Sequence, residues 1–124
     1  MPDHVPPPGL AAEANIRASK VQGAEVFNDA GELLGHIDDL VLTRREGRAV
    51  YAILSFGGFL GIGERFHALP WAILKFYPLI GGYVVPLTRD QLAAAPTYRP
   101  GEDPDWNDPD LPGRLSGGLG SQPA

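Results

Sequence analysis

The most informative stretch of the sequence is Gly57-Gly58-Phe59-Leu60-Gly61-Ile62-Gly63-Glu64, which Ala68-Leu69-Pro70-Trp71 follows closely. It closes an apolar strand and places Phe59, Leu60 and Ile62 on a loop whose glycines give them no shelter. We expect Gly57, Gly58, Gly61 and Gly63 to be structural, because glycine permits the tight turns that such a loop needs. The three large apolar side chains either close the end of their own core or form an exposed patch that docks on a partner.

The rest of the chain divides by composition into one domain and two tails. Its 124 residues are 44% hydrophobic, and the apolar residues are concentrated between residues 16 and 97. Residues 1–15, and the acidic Pro/Gly-rich residues 98–124, carry too little apolar surface to offset the entropy of ordering, so we predict disordered tails there. The chain has no cysteine, which excludes disulfides and thiolate-bound metal clusters.

Charge and hydropathy narrow the classes of partner. The net charge of −5 argues against nucleic acid. No apolar run approaches the ~20 residues of a membrane-spanning helix. The N-terminus has neither the basic nor the apolar region of a signal peptide, so we expect a cytoplasmic protein.

Alternating apolar residues and turn residues predict an all-β domain. We predict strands over residues 25–28, 33–42, 48–56, 65–69 and 83–87, with irregular structure over residues 73–76. Residues 33–42 do not alternate cleanly around Asp38-Asp39, which predicts a bulge. Both faces of residues 48–56 are apolar, which implies burial on both sides or a small barrel.

Turn and capping residues complete this prediction. Residues 44–47 predict a hairpin turn, and Pro86 suggests that its strand lies at an edge. Capping-box spacings begin at Ser19 and Thr88, and the second introduces a short helix. The fold we predict is a small β-barrel of about six short strands with one short C-terminal helix.

These residues resemble the PRC-barrel family. The likeness is carried by Ala18-Ser19-Lys20-Val21-Gln22-Gly23, Val26-Phe27-Asn28-x-x-Gly31-Glu32-x-x-Gly35-x-Ile37-x-Asp39-Leu40, the strand and glycine loop over residues 51–64, and Leu69-Pro70-Trp71. The family includes the cytoplasmic barrel of the photosynthetic reaction-centre H subunit and the C-terminal domain of a ribosome maturation factor. The resemblance implies a non-enzymatic interaction or assembly module, with no catalytic residues and no cofactor. Its partner would be a photosynthetic or electron-transport complex, at the cytoplasmic face of the inner membrane.

The candidate interaction site is the glycine loop. We predict docking through Phe59, Leu60 and Ile62, assisted by Tyr51 and Trp71, and we predict a homodimer in which this patch meets its own copy. Ribosome assembly or an RNA-associated role is the alternative, for which Arg44, Arg45 and Arg48 form one small basic turn.

Catalytic, metal and nucleotide sites have weaker signals. His36, Asp38, Asp39 and His67 would form a metal site only if the two histidines met, and a small ligand inside the barrel is a further alternative. Ser55 stands outside any nucleophile motif, and the Glu after Gly63 would repel a nucleotide phosphate. The residues around Trp106, Asp105-Trp106-Asn107-Asp108-Pro109, resemble a short docking peptide, but disordered sequence is the explanation we favour for them.

Overall fold

Six short strands form the framework of the protein in a computed structural model that describes residues 15–57 and 63–116. The strands are β1 (Glu25–Asn28), β2 (Leu33–Leu42), β3 (Ala49–Phe56), β4 (Arg65–Pro70), β5 (Lys75–Tyr77) and β6 (Gly82–Val85). The helices are α1 (Ala18–Val21), α2 (Arg89–Ala94) and α3 (Leu111–Ser116), and a 3₁₀ turn, Trp71–Ile73, joins β4 to β5. The predicted all-β class with about six strands is confirmed. None of the helices in the described ranges has the length and apolarity to cross a bilayer.

The strands form one sheet that curls around its core. Their order is β4-β3-β2-β1-β6-β5, and all neighbours are antiparallel except β1 and β6. In a flat sheet β4 and β6 would lie about 19 Å apart, four strand spacings of about 4.8 Å. Trp71 directly follows β4, yet its ring centroid lies 5.9 Å from that of Tyr83 in β6. The sheet therefore curls into a small open barrel, with β4 and β5 as its two ends.

The bend of β2 makes this curl possible. Its pairing with β3 shifts register between Ile37 and Asp39, which confirms the predicted bulge. Just before the bulge, a side chain at Gly35 would overlap the carbonyl oxygen of Ser55. The two strands approach this closely because position 35 is glycine.

The central strand β3 is buried on both faces, as predicted. Ala52 and Leu54 point into the inner core, which lies inside the curled sheet. Tyr51 and Ile53 point into an outer core on the other face. The inner core is made of Val21, Val26, Leu34, Ile37, Ala52, Leu54, Leu69, Tyr83, Val85, Leu87, Leu92 and Ala95.

The outer core is closed by the segment that the sequence predicts to be disordered. Residues 98–116, here called the strap, lie across the outer face and pack against Tyr51, Ile53 and Ala68. The packed side chains of the strap are Tyr98, Trp106, Leu111 and Leu115. For residues 98–116 the prediction of a disordered tail is wrong, because the sheet supplies the apolar surface that the strap lacks by itself. The predicted tails over residues 1–14 and 117–124 lie outside the described residues.

Three local predictions have different outcomes. Thr88 and Gln91 form the predicted capping box, with both reciprocal hydrogen bonds. The helix predicted to begin at Ser19 instead has Arg17 as its N-cap, without a side-chain cap. The edge position predicted from Pro86 is wrong, because β6 lies between β1 and β5 and the proline follows the strand.

Candidate interaction surfaces

The predicted docking loop lies largely outside the described residues. This applies to Phe59, Leu60 and Ile62, and to two of the four glycines, Gly58 and Gly61. The glycines on either side, Gly57 and Gly63, have φ angles of +70° and +78°. Residues that carry a Cβ atom rarely adopt this left-handed backbone conformation, so both positions favour glycine.

The two aromatic residues predicted to assist that loop lie on opposite faces of the sheet. Tyr51 is 7% exposed in the outer core, where its ring centroid is 5.9 Å from that of Trp106. Trp71 is half-buried and packs against the inner core beside Tyr83. The structure therefore does not bring Tyr51 and Trp71 into one exposed patch.

The hairpin between β5 and β6 carries a second apolar loop, which the structure leaves exposed. We call residues 77–80 the apolar tip: Tyr77, Pro78, Leu79 and Ile80. Tyr77 is 48% exposed, Leu79 93% and Ile80 50%. Hairpin turns are usually built from glycine, asparagine, aspartate and proline, so consecutive large apolar residues at this position are unusual.

The base of the apolar tip is firmly held. The Phe76 ring centroid lies 5.1 Å from that of Tyr83 across the hairpin. The turn closes through hydrogen bonds from the amides of Ile80 and Gly81 to the carbonyl of Tyr77, at 3.1 and 3.0 Å. At Gly82 an added Cβ would come within 2.6 Å of the Glu25 carbonyl oxygen, so the hairpin fits closely against β1. The tip is thus a projecting apolar surface on an ordered support.

Sequence reasoning missed the apolar tip. The sequence predicted a strand over residues 83–87 but irregular structure over residues 73–76, so the strand β5 was not recognised. The available signal was the run Tyr77-Pro78-Leu79-Ile80 directly before two glycines. Four apolar residues at a hairpin turn indicate either side chains that fold back onto their own domain or an exposed surface, and the structure shows the second.

The residues considered for a metal site point in opposite directions. On β3, Ser55 lies opposite His36 and Phe66, and the next residue inward, Leu54, lies opposite Ile37 and His67. Because neighbouring residues of a strand face opposite sides, His36 and His67 project from different faces. Within residues 15–57 and 63–116, no group of three or more histidine, cysteine or acidic residues is placed to hold a metal ion.

His67 is instead a buried residue of the inner face. It is 0% exposed, and its Nδ1–H donates to the carbonyl oxygen of Pro96. Its Nε2 atom has no hydrogen-bond partner. Burial lowers the pKa of His67 below its ordinary value, and the bond to Pro96 opposes this effect.

Acidic residues from the sheet and the strap meet near Tyr98. Burial raises the pKa of Tyr98, and the charges of Asp103, Asp38 and Asp39 raise it further. The pKa of Asp38 is also raised, first by burial and then by Asp39 and Glu64. The margin between the strap and β2 therefore concentrates negative charge.

A cleft beside the glycine loop is lined by acidic and basic side chains, two of which are hydrogen-bonded to neighbouring residues. Its volume is about 490 Å³, and its lining includes Glu64, Arg65 and Arg99. The Arg65 guanidinium donates to Oγ1 of Thr97 at 2.6 and 3.1 Å. The Glu64 carboxylate accepts a hydrogen bond from Ser55. This lining favours neither an anionic nor an apolar ligand.

Comparison with known proteins identifies the family to which this fold is similar. The family model described as PRC-barrel domain matches residues 13–88. A search of curated protein sequences finds no significant match. Among the solved structures that match is one from Pseudomonas aeruginosa, assigned as the 16S ribosomal RNA processing protein RimM, with 20% identity and a TM-score of 0.41. That match covers 60% of this chain and 45% of the other, so it spans less than half of the length of that protein.

Proposed function

The chain belongs to the PRC-barrel family, and we propose that it is a non-enzymatic protein-binding module that docks on its partner through the apolar tip. The observation that carries this proposal is the exposure of Leu79, which at 93% has almost no contact with its own domain. Burial of a leucine or isoleucine side chain contributes roughly 1.5–3 kcal/mol to association. Leu79 and Ile80 together can therefore anchor a complex.

The shape of the tip indicates the kind of partner surface. A projecting loop needs a concave apolar pocket, and binding energy in protein interfaces is concentrated where such anchors enter pockets. Lys75 at the start of β5 and Glu25 beside the hairpin are both exposed and opposite in charge. The residues that support the tip therefore do not form a patch of one charge. The specificity for a partner would come from the shape of the tip and from apolar contact.

Nucleic acid is a weaker candidate partner. The exposed residues Arg44, Arg45 and Arg48 provide three positive charges at the turn between β2 and β3. The whole chain carries a net charge of −5, and RNA binding depends on neutralising many phosphates. The ribosome-assembly alternative therefore rests on one small basic turn.

Two specific protein partners follow from the sequence: a second copy of the chain, from its exposed apolar surface, and a membrane electron-transport complex, from the family resemblance. Both can be tested with one set of variants. Wild type, the tip variant Leu79→Asp/Ile80→Asp and the control Leu42→Asp are immobilised and exposed to membrane and membrane-free lysate fractions. Leu42 is a fair control because it is 51% exposed and lies on β2.

The expected result is a defined set of proteins that mass spectrometry finds with wild type and the control, but not with the tip variant. Equal recovery by all three proteins would contradict docking through the tip. Recovery of ribosomal RNA that falls steeply with salt and needs Arg44, Arg45 and Arg48 would instead support the RNA-associated alternative.

A further inference from the structure

An apolar groove lies at one rim of the open barrel. Its volume is about 350 Å³, and its lining includes Val50, Pro70, Trp71 and Ala72. We call it the rim groove. Val50 is 37% exposed although it belongs to the central strand β3, and Trp71 is half-buried. Because part of the Trp71 ring is exposed beside Pro70, the rim groove offers an aromatic surface to a ligand.

Positive charge borders the rim groove. Arg48 belongs to its lining, and Arg44 and Arg45 lie in the same turn between β2 and β3. All three arginines are exposed, and within residues 15–57 and 63–116 none of them forms an ion pair. Glu46 supplies the single negative charge of this turn. The turn therefore has a net positive charge, which favours a ligand with an acidic residue.

The chain itself contains a segment with matching chemistry. Pro6-Pro7-Pro8 is its only run of consecutive prolines, and Asp3 precedes this run by three residues. Proline-rich sequences favour the polyproline II conformation, so they lose little entropy on binding and dock in grooves that are lined by aromatic side chains. Asp3 carries the charge opposite to that of Arg48. These residues lie outside the described ranges, so the match is between their sequence and the structure of the groove.

The described part of the chain begins near the same rim. Before β1, the amide of Ile37 donates to the carbonyl of Ala24, and the side chain of Gln22 donates to Asp39. Followed backwards from β1, the chain therefore runs along β2 towards the last residues of that strand. β3 begins and β4 ends at this rim of the barrel, where the rim groove lies.

The segment before α1 is long enough to reach the rim groove. Thr43 lies about 13 Å beyond Asp39 along β2, and β4 lies two strand spacings, about 10 Å, to the side, so the separation is about 16 Å. The five residue steps from Arg17 to Gln22 add about 8 Å at most if they are helical. The nine steps from Pro8 to Arg17 span up to about 28 Å at the rise of polyproline II. Residues 3–8 can therefore lie in the groove.

We propose that the rim groove binds residues 3–8 of the same chain, with Pro6-Pro7-Pro8 packed on Trp71 and Asp3 paired with Arg48. The covalent tether favours these residues over a segment of another protein, because it holds them near the groove at an effective concentration on the order of millimolar. The groove supplies the apolar contact that residues 3–8 lack by themselves, as the sheet does for the strap. This proposal does not depend on docking through the apolar tip.

Quenching of Trp71 fluorescence by acrylamide tests the proposal in the full chain. The parent protein carries Trp106→Phe, which leaves Trp71 as the only tryptophan. Replacement of Pro6-Pro7-Pro8 by three serines should raise the quenching constant about twofold, because docked prolines cover the exposed part of the ring. Circular dichroism confirms that each variant keeps the sheet.

The matched control is Gly9→Ser/Ala11→Ser/Ala12→Ser, which changes three neighbouring residues and keeps the prolines. Its quenching constant should equal that of the parent. A proline variant that is quenched no more than the parent would overturn the proposal, and so would an equal increase in the control. The constants should also be unchanged by a tenfold dilution of the protein. Shielding that disappears on dilution would place the segment of another copy in the groove and would overturn binding within one chain.

Charge reversal tests the ion pair at the side of the groove. Arg48→Glu and Asp3→Arg each bring like charges together, so each should raise the quenching constant of Trp71. The double variant recreates an ion pair of opposite orientation and should return the constant to the parent value. Since a direct effect of position 48 on the tryptophan would persist in the double variant, failure to return would overturn the proposed pairing of Asp3 with Arg48.

Discussion

Replacement of Leu111 by alanine tests whether the strap stabilises the protein. Leu111 is 3% exposed in the outer core. Alanine has three fewer carbon atoms, and at about 0.8 kcal/mol for each buried methylene the loss is about 2.4 kcal/mol. The cavity left behind adds to this cost, although a surface segment can settle into it, so we expect a loss of about 2–3 kcal/mol in the free energy of unfolding.

The matched control is Leu79→Ala. The same atoms are removed there from a side chain that is 93% exposed, so we expect a change within about 0.5 kcal/mol. Both variants are made in a Trp71→Phe background, which leaves Trp106 as the only tryptophan. Urea unfolding is then followed by Trp106 fluorescence, which reports the strap, and by circular dichroism, which reports the sheet.

The outcome separates a packed strap from a disordered tail. If Leu111→Ala changes stability as little as Leu79→Ala, Leu111 is not buried in solution, and the outer core described above is refuted. If fluorescence detects the loss but circular dichroism does not, the strap unfolds independently of the sheet.

Three further predictions concern the sheet and its charges. Gly35→Ala forces a methyl group onto the Ser55 carbonyl and should cost about 1–3 kcal/mol in the free energy of unfolding, measured by urea titration. Because the pKa of His67 is lowered in the folded protein, the unfolded chain takes up this proton first, so stability should fall as the pH decreases below about 6.5 and fall less in His67→Gln. Because the pKa of Asp38 is raised, its charge opposes folding, and Asp38→Asn should raise the melting temperature at pH 7 but not below pH 3.8.

Each of these predictions has its own check. Gly113→Ala adds the same methyl group within α3, where the added carbon would meet no atom from another part of the described chain within 4 Å, and should be neutral or stabilising by about 0.5–1 kcal/mol. Equal losses at positions 35 and 113 would refute the steric explanation. An unchanged pH profile in His67→Gln would mean that other groups cause the acid sensitivity. A gain in Asp38→Asn that persists at pH 3 would point to packing instead of charge.

The local structure of the barrel could be predicted from the order of its residues. Five of the six strands, the bulge after Ile37, the hairpin turn before β3 and the capping box of α2 all follow from alternation and turn chemistry. These signals act between residues close in the chain, so they can be read without knowledge of the tertiary structure. The burial of β3 on both faces was also predictable, because apolar residues occupy both sides of its alternation.

The packing partner of each buried surface could not be predicted from the sequence and is known from the tertiary structure. The parallel pairing of β1 with β6 depends on how the sheet curls, and no local pattern predicts it. Tyr98 and Trp106 follow no helical or strand period, and Leu111 and Leu115 form only one i, i+4 pair, so their segment looks disordered until the outer face of the sheet is present. The apolar tip shows the opposite case, since Leu79 is a large apolar residue but is 93% exposed among the described residues. Transfer of an apolar side chain out of water lowers the free energy. Whether the fold offers an apolar surface for that side chain depends on the arrangement of segments that are distant in the sequence.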